Sequence, residues 1–367
     1  MNDLLYMLLK KSSLNKLVYK IRRRKCHELI TIDAETVSHA NELLHSIYDN
    51  PQNSCIAENH ISDSPRYDLQ IIVPAYNVEK YIKECLDSVL MQQTSFSYIV
   101  KVINDGSTDE TGLILEQYKH ISQIQIIHQR NKGFSGARNT GLEHIDARYV
   151  MFLDSDDKLM PGAIQKLMEA AQETRADIVE GSSIKFLGPI VTKKFHHTDE
   201  KQASTDRLFG FAWGKVYKSA MFAHIKFPEG YWFEDTVCSF VLHPMAKSVS
   251  TISHCIYGYR TNLKGISRSY RGKPKVLDSL YVCEQLLKDM KRLNVLTDEN
   301  WAERIARQFK LNAKRIASLK REDADKALFT VQCHLFREMF TNKKPSALAQ
   351  ALLDGDYKAF KLQTTWL

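Results

Sequence analysis

Between Leu69 and Leu153, short apolar runs alternate with segments of helical periodicity, and this alternation restricts the fold more than any other feature of the chain. Leu69-Gln70-Ile71-Ile72-Val73, Tyr98-Ile99-Val100-Lys101-Val102-Ile103, Ile124-Gln125-Ile126-Ile127 and a run ending at Leu153 read as strands. Val78 to Leu90, Asp109 to Tyr118 and about Ser135 to His144 read as the helices between them. Strands that are apolar on both faces and joined by helices predict a parallel sheet covered on each side. Ligands of such sheets bind beyond the carboxyl ends of the strands, so the loops after Val73, Ile103, Ile127 and Leu153 should share one rim.

A chain of 367 residues exceeds one ordinary core, which predicts a large α/β domain with appendages or two domains. Residues 1–65 read as an N-terminal basic helical appendage and linker, 66–190 and 191–270 as two halves of the α/β domain, and 271–367 as a C-terminal helical extension. In the appendage, Leu5, Leu8, Leu9, Val18 and Ile21 recur at helical spacing among lysines and Arg22-Arg23-Arg24-Lys25. Such a helix suits an anionic membrane surface, or packs on the protein with a solvated basic face. Farther along, Ile190-Val191-Thr192 and Ile256-Tyr257-Gly258-Tyr259 read as strands, and Val276 to Leu293, Trp301 to Leu319 and Asp323 to Phe340 as helices.

The formal net charge of +8 favours an anionic partner without choosing among nucleotide, phospholipid and nucleic acid. Basic residues with no interleaved aromatic platform argue against nucleic acid. Seven cysteines without CxxC or zinc-type spacing predict reduced thiols in a cytosolic compartment. No apolar stretch approaches the ~18 residues of a membrane span.

The strand ends carry the chemistry. Asp154-Ser155-Asp156-Asp157 puts three carboxylates behind one strand, where they repel one another unless a cation joins them or water solvates them. A hard cation such as Mn²⁺ or Mg²⁺ takes carboxylate and phosphate oxygens, which points to a nucleoside diphosphate. After the first strand, Pro74-Ala75-Tyr76-Asn77 offers an aromatic ring on a short turn, able to stack on a base or to pack internally. In Asn104-Asp105-Gly106-Ser107-Thr108-Asp109, Asp105 can accept a hydrogen bond from a base imide while Asp109 caps the next helix. Arg138, after Gly133 and Gly136, faces an anion or orients the acidic rim through an ion pair.

Together, Val73-Pro74-Ala75-Tyr76-Asn77, Asn104-Asp105-Gly106-Ser107-Thr108-Asp109, Gly136-Ala137-Arg138-Asn139-Thr140-Gly141 and Asp154-Ser155-Asp156-Asp157 resemble, in order, the motifs of the family 2 glycosyltransferases of the GT-A fold. The resemblance implies a Rossmann-like, mostly parallel sheet covered by helices. It implies donor contacts from Pro74, Tyr76, Asn77, Asp105, Arg138, Asp154, Ser155 and Asp156, with Asp156 as the direct metal ligand and Asp154 beside it. It also implies a base that removes the acceptor's proton: Asp235 in Trp232-Phe233-Glu234-Asp235-Thr236 resembles the family's ED motif, with Glu234 positioning it. Trp213 and Trp232 are expected on the acceptor side, although a core tryptophan is as good a reading of Trp213. Arg260, Lys264 and Ser267 are expected on a loop that closes over the diphosphate. His254, placed before that loop, is expected to be a buried neutral histidine rather than a ligand.

The activity implied is inverting, metal-dependent transfer of a sugar from a nucleotide sugar, usually a UDP-sugar, to a glycan or lipid-linked acceptor. The setting implied is surface polysaccharide synthesis in the cytoplasm, at the inner face of the plasma membrane, where a peripheral membrane contact is allowed. Two rival readings are a nucleotidyltransferase, which would need a phosphate-gripping basic loop that Pro74-Ala75-Tyr76-Asn77 lacks, and an inactive nucleotide-sugar-binding protein, which has no use for an ED pair.

Overall fold

The computed structural model describes residues 27–262, 269–295, 300–339 and 345–366. The basic segment up to Lys25, Cys26, Lys264 and Ser267 lie outside them. In chain order the principal elements are α1 (Ala34–Ile47), β1 (His60–Ile61), β2 (Tyr67–Ala75), α2 (Ile82–Leu90), β3 (Tyr98–Asn104), α3 (Thr111–Glu116), β4 (Ile124–His128), α4 (Gly133–Leu142), β5 (His144–Ile145), β6 (Ala147–Phe152), β7 (Lys158–Leu159), α5 (Ala163–Thr174), β8 (Ile178–Leu187), β9 (Ile190–Phe195), β10 (Lys215–Lys218), β11 (Val249–Arg260), α6 (Asp278–Arg292), α7 (Trp301–Ile316), α8 (Glu322–Met339), α9 (Ala347–Asp354) and α10 (Tyr357–Trp366).

The described residues divide into two compact units, one within 53–265 and 285–296, the other within 1–52, 266–284 and 297–367. The first holds a sheet in the order β4-β3-β2-β6-β10-β8-β11-β7, with β9 paired to β8. β2, β3, β4 and β6 are mutually parallel, as their continuous apolar character predicts. The strand direction then changes, because β10 runs antiparallel to both β6 and β8. Leu69, Ile71 and Val73 of β2 point into a core with Ile82, Leu86 and Val89 of α2 and Ile164 and Leu167 of α5. On the other face, Gln70 Nε2 donates to the Gly141 carbonyl of α4 at 2.9 Å. Covering both faces leaves the carboxyl rim as the accessible edge for ligands.

In the other unit α1 packs on α8, and Leu29 bridges to Asp356. The sequence signal for α1 is local: Asp33 accepts the Thr36 N–H at 2.8 Å as an N-cap, and Val37, Ala40 and Leu44 form the buried stripe. The six described cysteines are free thiols. Among the described residues no helix is long and apolar enough to cross a membrane.

Candidate active site

The rim begins where β2 stops. Pro74 is buried in register with Ile103, Ala75 ends the strand, and Tyr76 just past it emerges 49% exposed. Asn77 takes a left-handed conformation (φ 51°), and its Oδ1 accepts the Thr108 N–H at 2.8 Å, tying the loops after β2 and β3 together. Asp105 is buried; its Oδ1 accepts from Gln129 Nε2 at 2.7 Å and from the Lys132 N–H at 2.8 Å. Its Oδ2 is buried without a hydrogen-bond partner among the described residues. A buried polar oxygen left without a partner is costly unless a donor arrives from a ligand.

The tetrad closes the rim. Asp157 is buried, accepting the Tyr257 hydroxyl at 2.7 Å and the Arg260 N–H at 2.6 Å, so it fastens β11 to the acidic turn. Asp156 accepts from Asn262 Nδ2 at 3.0 Å. Burial lifts its carboxyl above the usual range, with the Asp154 charge adding to the lift and the Asn262 hydrogen bond opposing it. Ser155 between them is buried.

Arg138, on α4, is buried and divides its guanidinium between two carboxylates. Nη2 reaches Asp154 Oδ1 at 2.8 Å and Nη1 binds Glu234. It therefore joins the tetrad to the ED pair and is the rim-orienting ion pair that one sequence reading anticipated. Phe233 sits at φ 66°, and its carbonyl accepts both the N–H and the hydroxyl of Thr236, which fixes the tight turn carrying Glu234 and Asp235. Burial pushes the Glu234 carboxyl up to about 7, against Arg138 and with help from the Asp235 charge. Asp235 and Trp232 are half-buried.

Two expectations are corrected. Trp213 is 5% exposed and lies parallel to Phe211 (4.5 Å between centroids), Tyr257 (4.5 Å) and Tyr259 (5.2 Å), so protein rings take the faces a sugar would need. His254 is exposed, not buried, with Nε2 3.0 Å from the Pro161 carbonyl oxygen. Arg260 lies beside the tetrad but is turned to protein partners: Nε donates to the Asp156 carbonyl at 2.7 Å and Nη2 to Glu84 at 2.6 Å. Sequence reasoning missed Asn262, and it gave Tyr257 and Asp157 no bracing role. The signal available was their place at the end of the Tyr257–Arg260 strand and in the tetrad.

Among the described residues no three His, Cys, Asp or Glu side chains are grouped to hold a metal unaided. Asp156, whose ionisation burial suppresses, with Asp154 two positions before it, fits a cation site of one or two protein ligands that a substrate diphosphate would complete.

Residues 70–228 match the family described as glycosyl transferase family 2. The chain is 33% identical over 224 residues to glycosyltransferase GlyA of Streptococcus pneumoniae serotype 4, covering 56% of this chain and 32% of GlyA. It is 34% identical over 211 residues to the uncharacterized glycosyltransferase EpsJ of Bacillus subtilis, covering 53% of this chain and 61% of EpsJ. The chain thus spans less than two thirds of the length of either relative. The crystal structure of S. aureus TarS 1-349 in complex with UDP-GlcNAc superposes with a TM-score of 0.53 at 19% identity, covering 80% of this chain and 89% of that one. The family match over residues 70–228, the two relatives and the architecture shared with the TarS structure support a family 2 glycosyltransferase resemblance for that segment on a GT-A fold.

Proposed function

We propose that the protein transfers a sugar, with inversion, from a UDP-sugar to a hydroxyl of a glycan or lipid-linked acceptor in bacterial surface polysaccharide synthesis. The observation that carries this reading is the unpartnered Oδ2 of Asp105, buried beside the exposed Tyr76 ring on the rim that also presents Asp154 and Asp156. A base imide N–H satisfies that oxygen, and the ring stacks on the base. The diphosphate then extends along the rim toward Asp156. A divalent Mn²⁺ or Mg²⁺ held by Asp156 and Asp154 would supply positive charge against the departing diphosphate. The ED turn supplies the base: Asp235 takes the proton of the acceptor hydroxyl as its oxygen bonds to the anomeric carbon and the bond to the diphosphate oxygen breaks with its electron pair. Glu234, bound to Arg138, holds that turn against the tetrad.

Isothermal titration and product release test this together. UDP binding should weaken about tenfold or more in Asp105→Ala, the loss of one charge-assisted hydrogen bond. Asp235→Asn should keep UDP binding while losing transfer, and Asp156→Ala should lose turnover that depends on the metal. Unchanged UDP affinity in Asp105→Ala would overturn the placement of the nucleotide.

A further inference from the structure

The hairpin of β8 and β9 ends in an apolar tip that no role above uses. Leu187 (46% exposed), Ile190 (64%) and Val191 (44%) stand in solvent around the Gly188-Pro189 turn. Below the tip the register pairs Lys185 with Lys193, and Lys194 follows. Lys185 Nζ lies 4.8 Å from the Tyr259 ring centroid and Lys193 Nζ 4.5 Å from that of Phe195, so the ammonium groups are held along the strands. From Gly181 to Thr198 the sequence contains no Asp or Glu. The hairpin flanks the candidate active site, because Phe186 is in register with Arg260, whose N–H binds Asp157.

We propose that this hairpin docks on an anionic lipid surface, its tip entering the headgroup layer and its lysines meeting lipid phosphates. Apolar side chains at a tip with a collar of cations and no acid combine apolar insertion with electrostatic attraction to anionic lipids, the pair of signals that membrane docking uses. Pairing of the β9 edge with a second copy is disfavoured by the same lysines, which would face one another across the new ladder. The purpose of the contact, holding the site at the surface where a lipid-linked acceptor resides, rests on the proposed function. The contact itself is measured without turnover.

The full chain is mixed with vesicles of phosphatidylglycerol and phosphatidylcholine, or of phosphatidylcholine alone, and sedimented. The paired substitution Leu187→Asp with Ile190→Asp should weaken partition onto the anionic vesicles at least tenfold. Lys185→Gln with Lys193→Gln and Lys194→Gln should abolish the preference for phosphatidylglycerol. A separate measurement isolates the tip from any other membrane-binding segment. Ile190→Cys, carrying a polarity-sensitive dye in a Cys26→Ser, Cys255→Ser background, should shift to the blue on anionic vesicles, while the same dye at Glu35→Cys should not. Equal partition of the parent and the aspartate pair, or an Ile190→Cys label with no spectral change, overturns the proposal. So does a chain that is dimeric in ultracentrifugation and becomes monomeric in the aspartate pair with vesicle binding intact.

Discussion

Arg138 gathers carboxylates from two remote parts of the chain, and the pH behaviour of one of them is a direct readout of that arrangement. Glu234 sits at about 7 in the fold against an ordinary 4.5, so the folded protein holds its proton more tightly than the unfolded chain does. The stability this group contributes is complete below about 4.5 and is lost as the pH rises through about 7. The melting temperature of the parent should therefore fall relative to Glu234→Gln between about pH 5 and pH 8, a fixed amide having no proton to lose. Parallel profiles would show that Glu234 ionises normally. Asp105, Asp154, Asp156 and Asp235 were legible as candidates because a carboxylate at a strand end or tight turn is visible in a sequence. The burial of Trp213 was not, since the tyrosines that cover it lie more than forty positions away on β11.

At the scale of elements, the parallel half of the sheet was readable because its strands are apolar on both faces and each is followed by a periodic helix. β8 and β10 were not, because β10 is only four residues long and β8 is interrupted by Gly181-Ser182-Ser183; their neighbours are chosen by tertiary pairing. α1 carries a clear cap signal at Asp33, yet the sequence reading includes it in the 1–65 appendage and gives it no helix of its own, because the basic run before it dominates that stretch. The placement of α4, and with it Arg138, depends on one close approach: a Cβ on Gly141 would stand 2.5 Å from Ile72 Cγ2 of β2. Gly141→Ala must push α4 off the sheet or strain Ile72, and overpacking of this kind costs ~1–3 kcal/mol. Urea denaturation should show a lower midpoint with the slope retained. A midpoint at or above the parent's would mean that the helix has slack at this contact.

The whole molecule is not partitioned along the sequence as expected. A linear reading gave four successive segments, whereas the described residues 27–52 and the C-terminal helices belong to one compact unit built from both ends of the chain. The described N-terminal residues are thus not a free appendage: Leu44 is fully buried, His45 meets Tyr281 at 5.3 Å, and the Tyr281 hydroxyl donates to the Tyr48 carbonyl at 2.9 Å. Such a pairing of ends leaves no local mark in a sequence, because each half-buried stripe looks the same whether it covers its neighbour or a helix three hundred residues away. Its energetic consequence is specific. Leu44→Ala removes a core side chain of α1, at a cost of ~2–5 kcal/mol, and the loss falls on the helix it covers. Amide exchange of α8 should then accelerate by at least tenfold while β2, β3 and β6, in the other unit, keep their protection and serve as the internal reference. If α8 exchanged at the parent rate, α1 would contribute nothing to its stability, and the two ends of the chain would not form one cooperative body.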